Sequence, residues 1–93
     1  MPEREHEDHR VLIFIINGQD FLVRVNFRAP LKVAVHRALM ESGNTARPVD
    51  EWEVRDIKGV LLDTQRSPDE LGLHDRARLF LSLQVGAGGV DQS

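Results

Sequence analysis

The chain has 93 residues, 41% of them hydrophobic, and 12 Lys and Arg against 15 Asp and Glu leave a formal charge of −3. That length suits one small domain, and an acidic excess without a Lys/Arg stripe argues against nucleic acid as a partner. The absence of cysteine excludes disulfides, thiolate metal sites and a thiol nucleophile.

Residues 1–10, "MPEREHEDHR", carry charge or His at eight of ten positions and no apolar segment. They read as a disordered charged tail and not as a secretory signal. His6-Glu7-Asp8-His9 lacks the spacing of the HExxH zinc motif, so no metal site is expected there. The longest apolar run, Val11 to Ile16, is far too short to span a membrane. A cytoplasmic protein without a membrane partner is the expectation.

Asn17-Gly18 joins two β-type runs, and both residues tolerate the positive φ angles that a type I′ hairpin needs. In the second run Phe21, Val23, Val25 and Phe27 alternate with Leu22, Arg24 and Asn26, which predicts one buried face. The first run is apolar on both faces, as a central strand would be. After Pro30, the spacing of Leu31, Ala34, Val35, Ala38 and Leu39 predicts a helix, ended by Ser42-Gly43-Asn44. Residues 44–50 read as loop.

A third strand is predicted around Trp52 and Val54, then a turn at Lys58-Gly59 and a short fourth strand over Val60–Leu62. Ser67, Pro68 and Glu70 form a capping-box pattern for about one helical turn, stopped by Gly72. Leu79, Leu81, Leu83 and Val85 alternate with Phe80, Ser82 and Gln84 in a last strand. Trp52 is expected to anchor the core and not to serve as a ligand platform. The helix following the hairpin can cover its apolar face, and the last strand pairs most economically beside the first. The fold class is therefore α+β, a β-grasp: a mixed four- to five-stranded sheet wrapped around one main helix, plus a short helical turn.

With that order in place the chain resembles ubiquitin over Val11 to Gly89. The resemblance rests on "IFII" in the first strand, Pro30 before the helix, and Lys58-Gly59 followed by "LLD". It rests also on "SPDELGL" and on "LFLSL" leading to Gly88-Gly89. More narrowly it is similar to the bacterial ubiquitin-like modifier precursors, including the multiubiquitin type. On that reading 11–85 is the ubiquitin-like domain, 86–89 a flexible conjugation tail and 90–93 a removable extension.

The resemblance implies no catalytic residue in this chain, no bound cofactor, and a processing site at Gly88, Gly89 and Val90. A JAB-type zinc peptidase would trim after Gly89. An activating-enzyme homologue would then adenylate the new carboxylate with ATP, and a conjugating-enzyme homologue would pass it through a thioester to target proteins. Glycine suits such a tail because a Cβ would clash in a narrow channel. The stretch Gln84 to Gly89 can reach about 20 Å when extended. A sulfur carrier bearing a C-terminal thiocarboxylate and a non-covalent interaction module are the alternatives. The residues after Gly89 weigh against a carrier, which typically ends at its di-glycine.

Ubiquitin is recognised through an apolar patch on its exposed sheet face, partly on its third strand. The matching position here falls on Arg55 or Asp56, both charged, so generic ubiquitin receptors are expected to bind poorly. Phe14, Leu22 and Phe80 are expected to face away from the helix, with Phe14 and Phe80 adjacent in a smaller docking patch. The two lysines, Lys32 and Lys58, restrict lysine-linked chains. Lys58 falls before its turn glycine, so a chain-forming role is not transferred to it.

Overall fold

The computed structural model describes residues 8–84. In chain order it contains β1 (His9–Ile16), β2 (Gln19–Asn26), α1 (Leu31–Ser42), a 3-10 turn (Val49–Glu51), β3 (Trp52–Arg55) and β4 (Ala77–Leu83). The four strands form one mixed sheet in the order β2-β1-β4-β3. β1 is central, antiparallel to β2 and parallel to β4, while β3 closes the far side antiparallel to β4. One helix packs across one face of this sheet, which is the β-grasp arrangement expected from the sequence. No helix among the described residues is long and apolar enough to cross a membrane.

Local chemistry explains each element. Asn17 and Gly18 sit at φ 53 and φ 80, so the hairpin closes in two residues and pairs Ile16 with Gln19. Pro30 occupies the N-cap of α1, and Gly43 ends the helix in the left-handed region at φ 79. There the Asn44 amide donates to the Leu39 carbonyl at 2.8 Å and that of Gly43 to Met40 at 3.2 Å, a Schellman closure. The capping box of Ser67 and Glu70 forms reciprocally. The Glu70 amide donates to Ser67 Oγ at 3.1 Å, and the Ser67 amide to Glu70 Oε1 at 3.2 Å.

The core lies between the sheet and α1. β1 contributes Leu12, Phe14 and Ile16, β2 contributes Val23 and Val25, and β4 contributes Leu79 and Leu81. From the helix come Leu31, Ala34, Val35, Ala38 and Leu39, its whole predicted apolar face. Trp52 and Val54 of β3 complete it, so Trp52 is the anchor expected, although its buried Nε1 has no hydrogen-bond partner among the described residues.

The structure corrects the sequence reading at four places. Phe14 is fully buried and belongs to the core, not to an exposed patch. The hairpin sets it opposite Phe21, whose side chain packs against the same core, so the two must share a face. β1 begins at His9, so His9 and Arg10 belong to the strand and not to the tail. Arg10 is held there by an ion pair with Asp8 and by its guanidinium, which lies 4.4 Å from the centre of the Phe27 ring. The segment 60–62 forms no strand of its own length but a single bridge between Leu61 and Arg55, closed by the Asp56 amide donating to the Val60 carbonyl at 3.0 Å and the Leu62 amide to the Val54 carbonyl at 2.8 Å. Residues 49–51, read as loop and strand entry, form the 3-10 turn.

Candidate functional site

Two neighbouring features of the fold hold the candidate residues expected from the sequence: the point where the chain leaves the sheet, and the sheet face turned away from α1.

β4 ends at Leu83, and Gln84 fixes the exit. Its amide donates to the Glu51 carbonyl at 2.9 Å and its Nε2 to the Asp50 carbonyl at 3.0 Å. The 3-10 turn thus clamps the end of the last strand, and the chain leaves the sheet from a defined place. Gly88, Gly89 and Val90, the expected processing residues, lie outside the described residues.

Alternation along the strands puts Ile13 and Ile15 of β1, Leu22 of β2, and Arg78, Phe80 and Ser82 of β4 on the outer face. Leu22 is 56% exposed and Phe80 42%. Phe80 is the Cα partner of Ile15 on one side and of Arg55 on the other. The patch containing Phe80 is therefore built with Ile15, Ile13 and Leu22, and Phe14 has no part in it. The hairpin register carried this signal, since a two-residue turn at Asn17-Gly18 places Phe14 against Phe21 and Ile13 against Leu22.

Arg55 stands at the edge of this patch, held by three hydrogen bonds to two partners. Its Nε and Nη2 donate to Glu53 Oε2 at 3.3 and 3.1 Å, and its Nη1 donates to the Gly59 carbonyl at 3.0 Å. Asp56 is turned to another task. Its Oδ1 accepts the amides of Lys58 and Val60, each at 2.9 Å, and so builds the turn. The sheet face therefore presents a bound guanidinium beside Phe80, while the Asp56 carboxylate stabilises the loop. Beyond the turn, a groove of about 410 Å³ runs between residues 56–58 and 71–79, with Ile57 at its rim 71% exposed.

At the opposite end of β1, the Arg10 guanidinium hydrogen-bonded to Asp8 holds that carboxyl below the ordinary aspartate range, with a smaller contribution from Arg28. Among the described residues, no arrangement at the outer face or the exit joins a nucleophile to a base. The surfaces described offer contact and an anchored chain exit.

A mixed four-stranded sheet gripping one helix, with the chain leaving from its last strand, is the ubiquitin-like β-grasp. The structure is similar to that of a Caldiarchaeum subterraneum ubiquitin, with a TM-score of 0.68 and 18% identity, covering 88% of this chain and all of that one. The family described as Protein of Unknown function (DUF2604) matches residues 5–89, and the chain belongs to that family. An uncharacterized Sinorhizobium fredii protein, y4jI, is 37% identical over 79 residues, which is 85% of this chain. The chain spans 61% of the length of that relative.

Proposed function

We propose that this chain is the precursor of a ubiquitin-like protein modifier, cut after Gly89 and then activated at the new glycine carboxylate. The observation that carries this reading is the clamped exit at Gln84, one residue ahead of Gly86-Ala87-Gly88-Gly89 in the sequence. A rigid body followed by a short glycine-rich arm is what a tail entering a partner's narrow channel requires. The body supplies recognition and the arm supplies the acyl group. A JAB-type peptidase performs the cut, and activating- and conjugating-enzyme homologues carry the acyl group from ATP-dependent adenylation through a thioester to an amine.

The test is intact mass after incubation with a JAB-type peptidase encoded near this chain, then with ATP and an activating-enzyme homologue. Loss of residues 90–93 alone, followed by adenylate and thioester formation, is the expected result. A mass unchanged by every such peptidase overturns the proposal. A trimmed product that gains sulfur as a thiocarboxylate, and never a conjugate, replaces it with a sulfur carrier.

A further inference from the structure

The turn after β3 is fixed by polar bonds and leaves its apolar side chain outside. Asp56 Oδ1 accepts the Lys58 and Val60 amides, the Gly59 amide donates to the Asp56 carbonyl at 2.9 Å, and Arg55 Nη1 holds the Gly59 carbonyl. Yet Ile57, at the tip, is 71% exposed, more than Leu22, Met40 or Phe80. A large aliphatic side chain held in water at a fixed place gains from any apolar surface that covers it. Beside it, Asp56 Oδ2 has no partner among the described residues.

The groove of about 410 Å³ borders the same turn, and residues 71–79 form its far wall. Leu71 and Leu73 of that wall pack against the core but are only partly buried. His74, Arg76 and Arg78 give the wall a basic rim. Among the described residues the one carboxylate near Arg76 is that of Asp75, 4.0 Å away, and both side chains are more than half exposed. No strand edge opens here. β4 lies between β1 and β3, and the bridge of Leu61 to Arg55 takes the place beyond β3. Whatever covers this margin must therefore do so through side chains.

We infer that this margin binds a second copy of the chain, the Ile57 side chain of each copy entering the groove of the other. A two-fold axis between the two turns makes the contact mutual. The turn of each copy then lies between the turn and the 71–79 wall of the other. Ile57 covers Leu71 and Leu73 of the second copy, and Asp56 Oδ2 meets the Arg76 guanidinium of the second copy. Complementarity selects this occupant. The turn side of the groove carries a projecting aliphatic residue and a free carboxylate oxygen, and the wall side carries an apolar floor and a loosely paired guanidinium. A two-fold pair uses each feature twice and closes on itself. Lys58 keeps its ammonium in solvent by its long stem. Ala77 at the groove and Gln84 at the exit stand at the two ends of β4, about 23 Å apart by strand rise. Both chain exits therefore stay free in the pair, which is independent of any cut after Gly89.

Sedimentation equilibrium of the full chain from about 10 µM to about 1 mM should resolve a monomer–dimer equilibrium and no larger species. In an equal mixture of isotope-labelled and unlabelled chain, filtered spectra should show Overhauser contacts from the Ile57 methyls of one copy to the Leu71 and Leu73 methyls of the other. Ile57→Asp should weaken association about 100-fold or more, because both copies lose a buried aliphatic contact. At high dilution this variant should melt as the parent does, since the site is exposed. Arg76→Asp, a residue type that tolerates the left-handed backbone there, should weaken association about 10-fold or more by repelling Asp56 of the second copy. A monomer at every concentration, a dimer insensitive to Ile57→Asp, or intermolecular contacts confined to β2 or to the face around Phe80 overturns the inference.

Discussion

Arg78 on β4 and Asp20 on β2 meet above the middle of the sheet, Nη1 to Oδ2 at 3.3 Å, with β1 passing beneath them. Asp20 is the Cα partner of Ile15 and Arg78 the partner of Ile13, so the ion pair lies diagonally across both isoleucines. This accounts for Ile15, which is only 9% exposed although it sits on the outer face. Both charged groups remain about half exposed, and solvent screens them. A double-mutant cycle with Asp20→Ala and Arg78→Ala, read by urea unfolding, should give a coupling of about 0.2–1 kcal/mol that shrinks with salt. A coupling well above that range would mean the pair is desolvated.

Phe14 and Phe80 lie on adjacent strands, yet their substitution should have opposite consequences. Phe14 is fully buried among core side chains, whereas Phe80 is 42% exposed. Phe14→Ala should destabilise by about 3–5 kcal/mol, the range for removing a buried aromatic. Phe80→Ala should cost no more than about 1 kcal/mol, because much of its surface already meets water. Denaturant midpoints of the two variants decide it.

The contrast between those two residues also shows where sequence patterns stop. Asn17-Gly18, Ser67 with Glu70, and Gly43 are legible because each solves a local backbone problem, namely positive φ or orphan amides. β1 is not legible in the same way. A central strand apolar on both faces has no alternation to read, and its parity comes only from its partner across the turn. The 3-10 turn at Val49–Glu51 leaves no sequence signal because its purpose, accepting the bonds of Gln84, is a contact between segments more than thirty residues apart in sequence. Arg24 and Arg37 look like scattered charges along the chain, and only the strand-to-helix crossover brings the Arg37 guanidinium to the Arg24 carbonyl.

Arg76 offers a stabilising substitution. It adopts φ 66 without being glycine, just before β4, while its amide donates to the Val11 carbonyl at 2.6 Å. The left-handed region costs a side-chain-bearing residue about 1–2 kcal/mol, and glycine there gives back somewhat less in unfolded-state entropy. Its ion pair with Asp75, 4.0 Å and exposed, contributes little. Arg76→Gly should raise stability by about 0.5–1 kcal/mol, seen as a higher melting temperature.

Asp8 should give a pH signature with a definite sign. Its carboxyl is held below the ordinary aspartate value, first by the hydrogen bond from Arg10. A depressed folded-state pKa means that the ionised form is favoured by folding. The contribution is complete above the unfolded-state value, about 3.9, and is lost as pH falls through the lower folded value. Carbon-detected titration should find Asp8 titrating below free aspartate, and Arg10→Gln should return it toward the ordinary range. An unmoved Asp8 in that variant would remove Arg10 as the cause.

The exit residue and the glycines beyond it should separate folding from processing. Gln84 holds the end of β4 through two carbonyls of the 3-10 turn, one by its amide and one by its side chain. Gln84→Ala removes only the side-chain bond, which should lower stability by about 0.5–1.5 kcal/mol. Cleavage by the JAB-type peptidase should persist, since the backbone bond and the glycines remain. Gly89→Ala should do the reverse: an unchanged melt, because it lies beyond the clamp, and loss of cleavage, because the added Cβ must fit a channel shaped for none. Intact-mass time courses and thermal melts on the same two variants measure both quantities. If Gly89→Ala is cut as fast as the parent, the glycine-rich arm is not what the peptidase reads, and recognition must lie on the folded body.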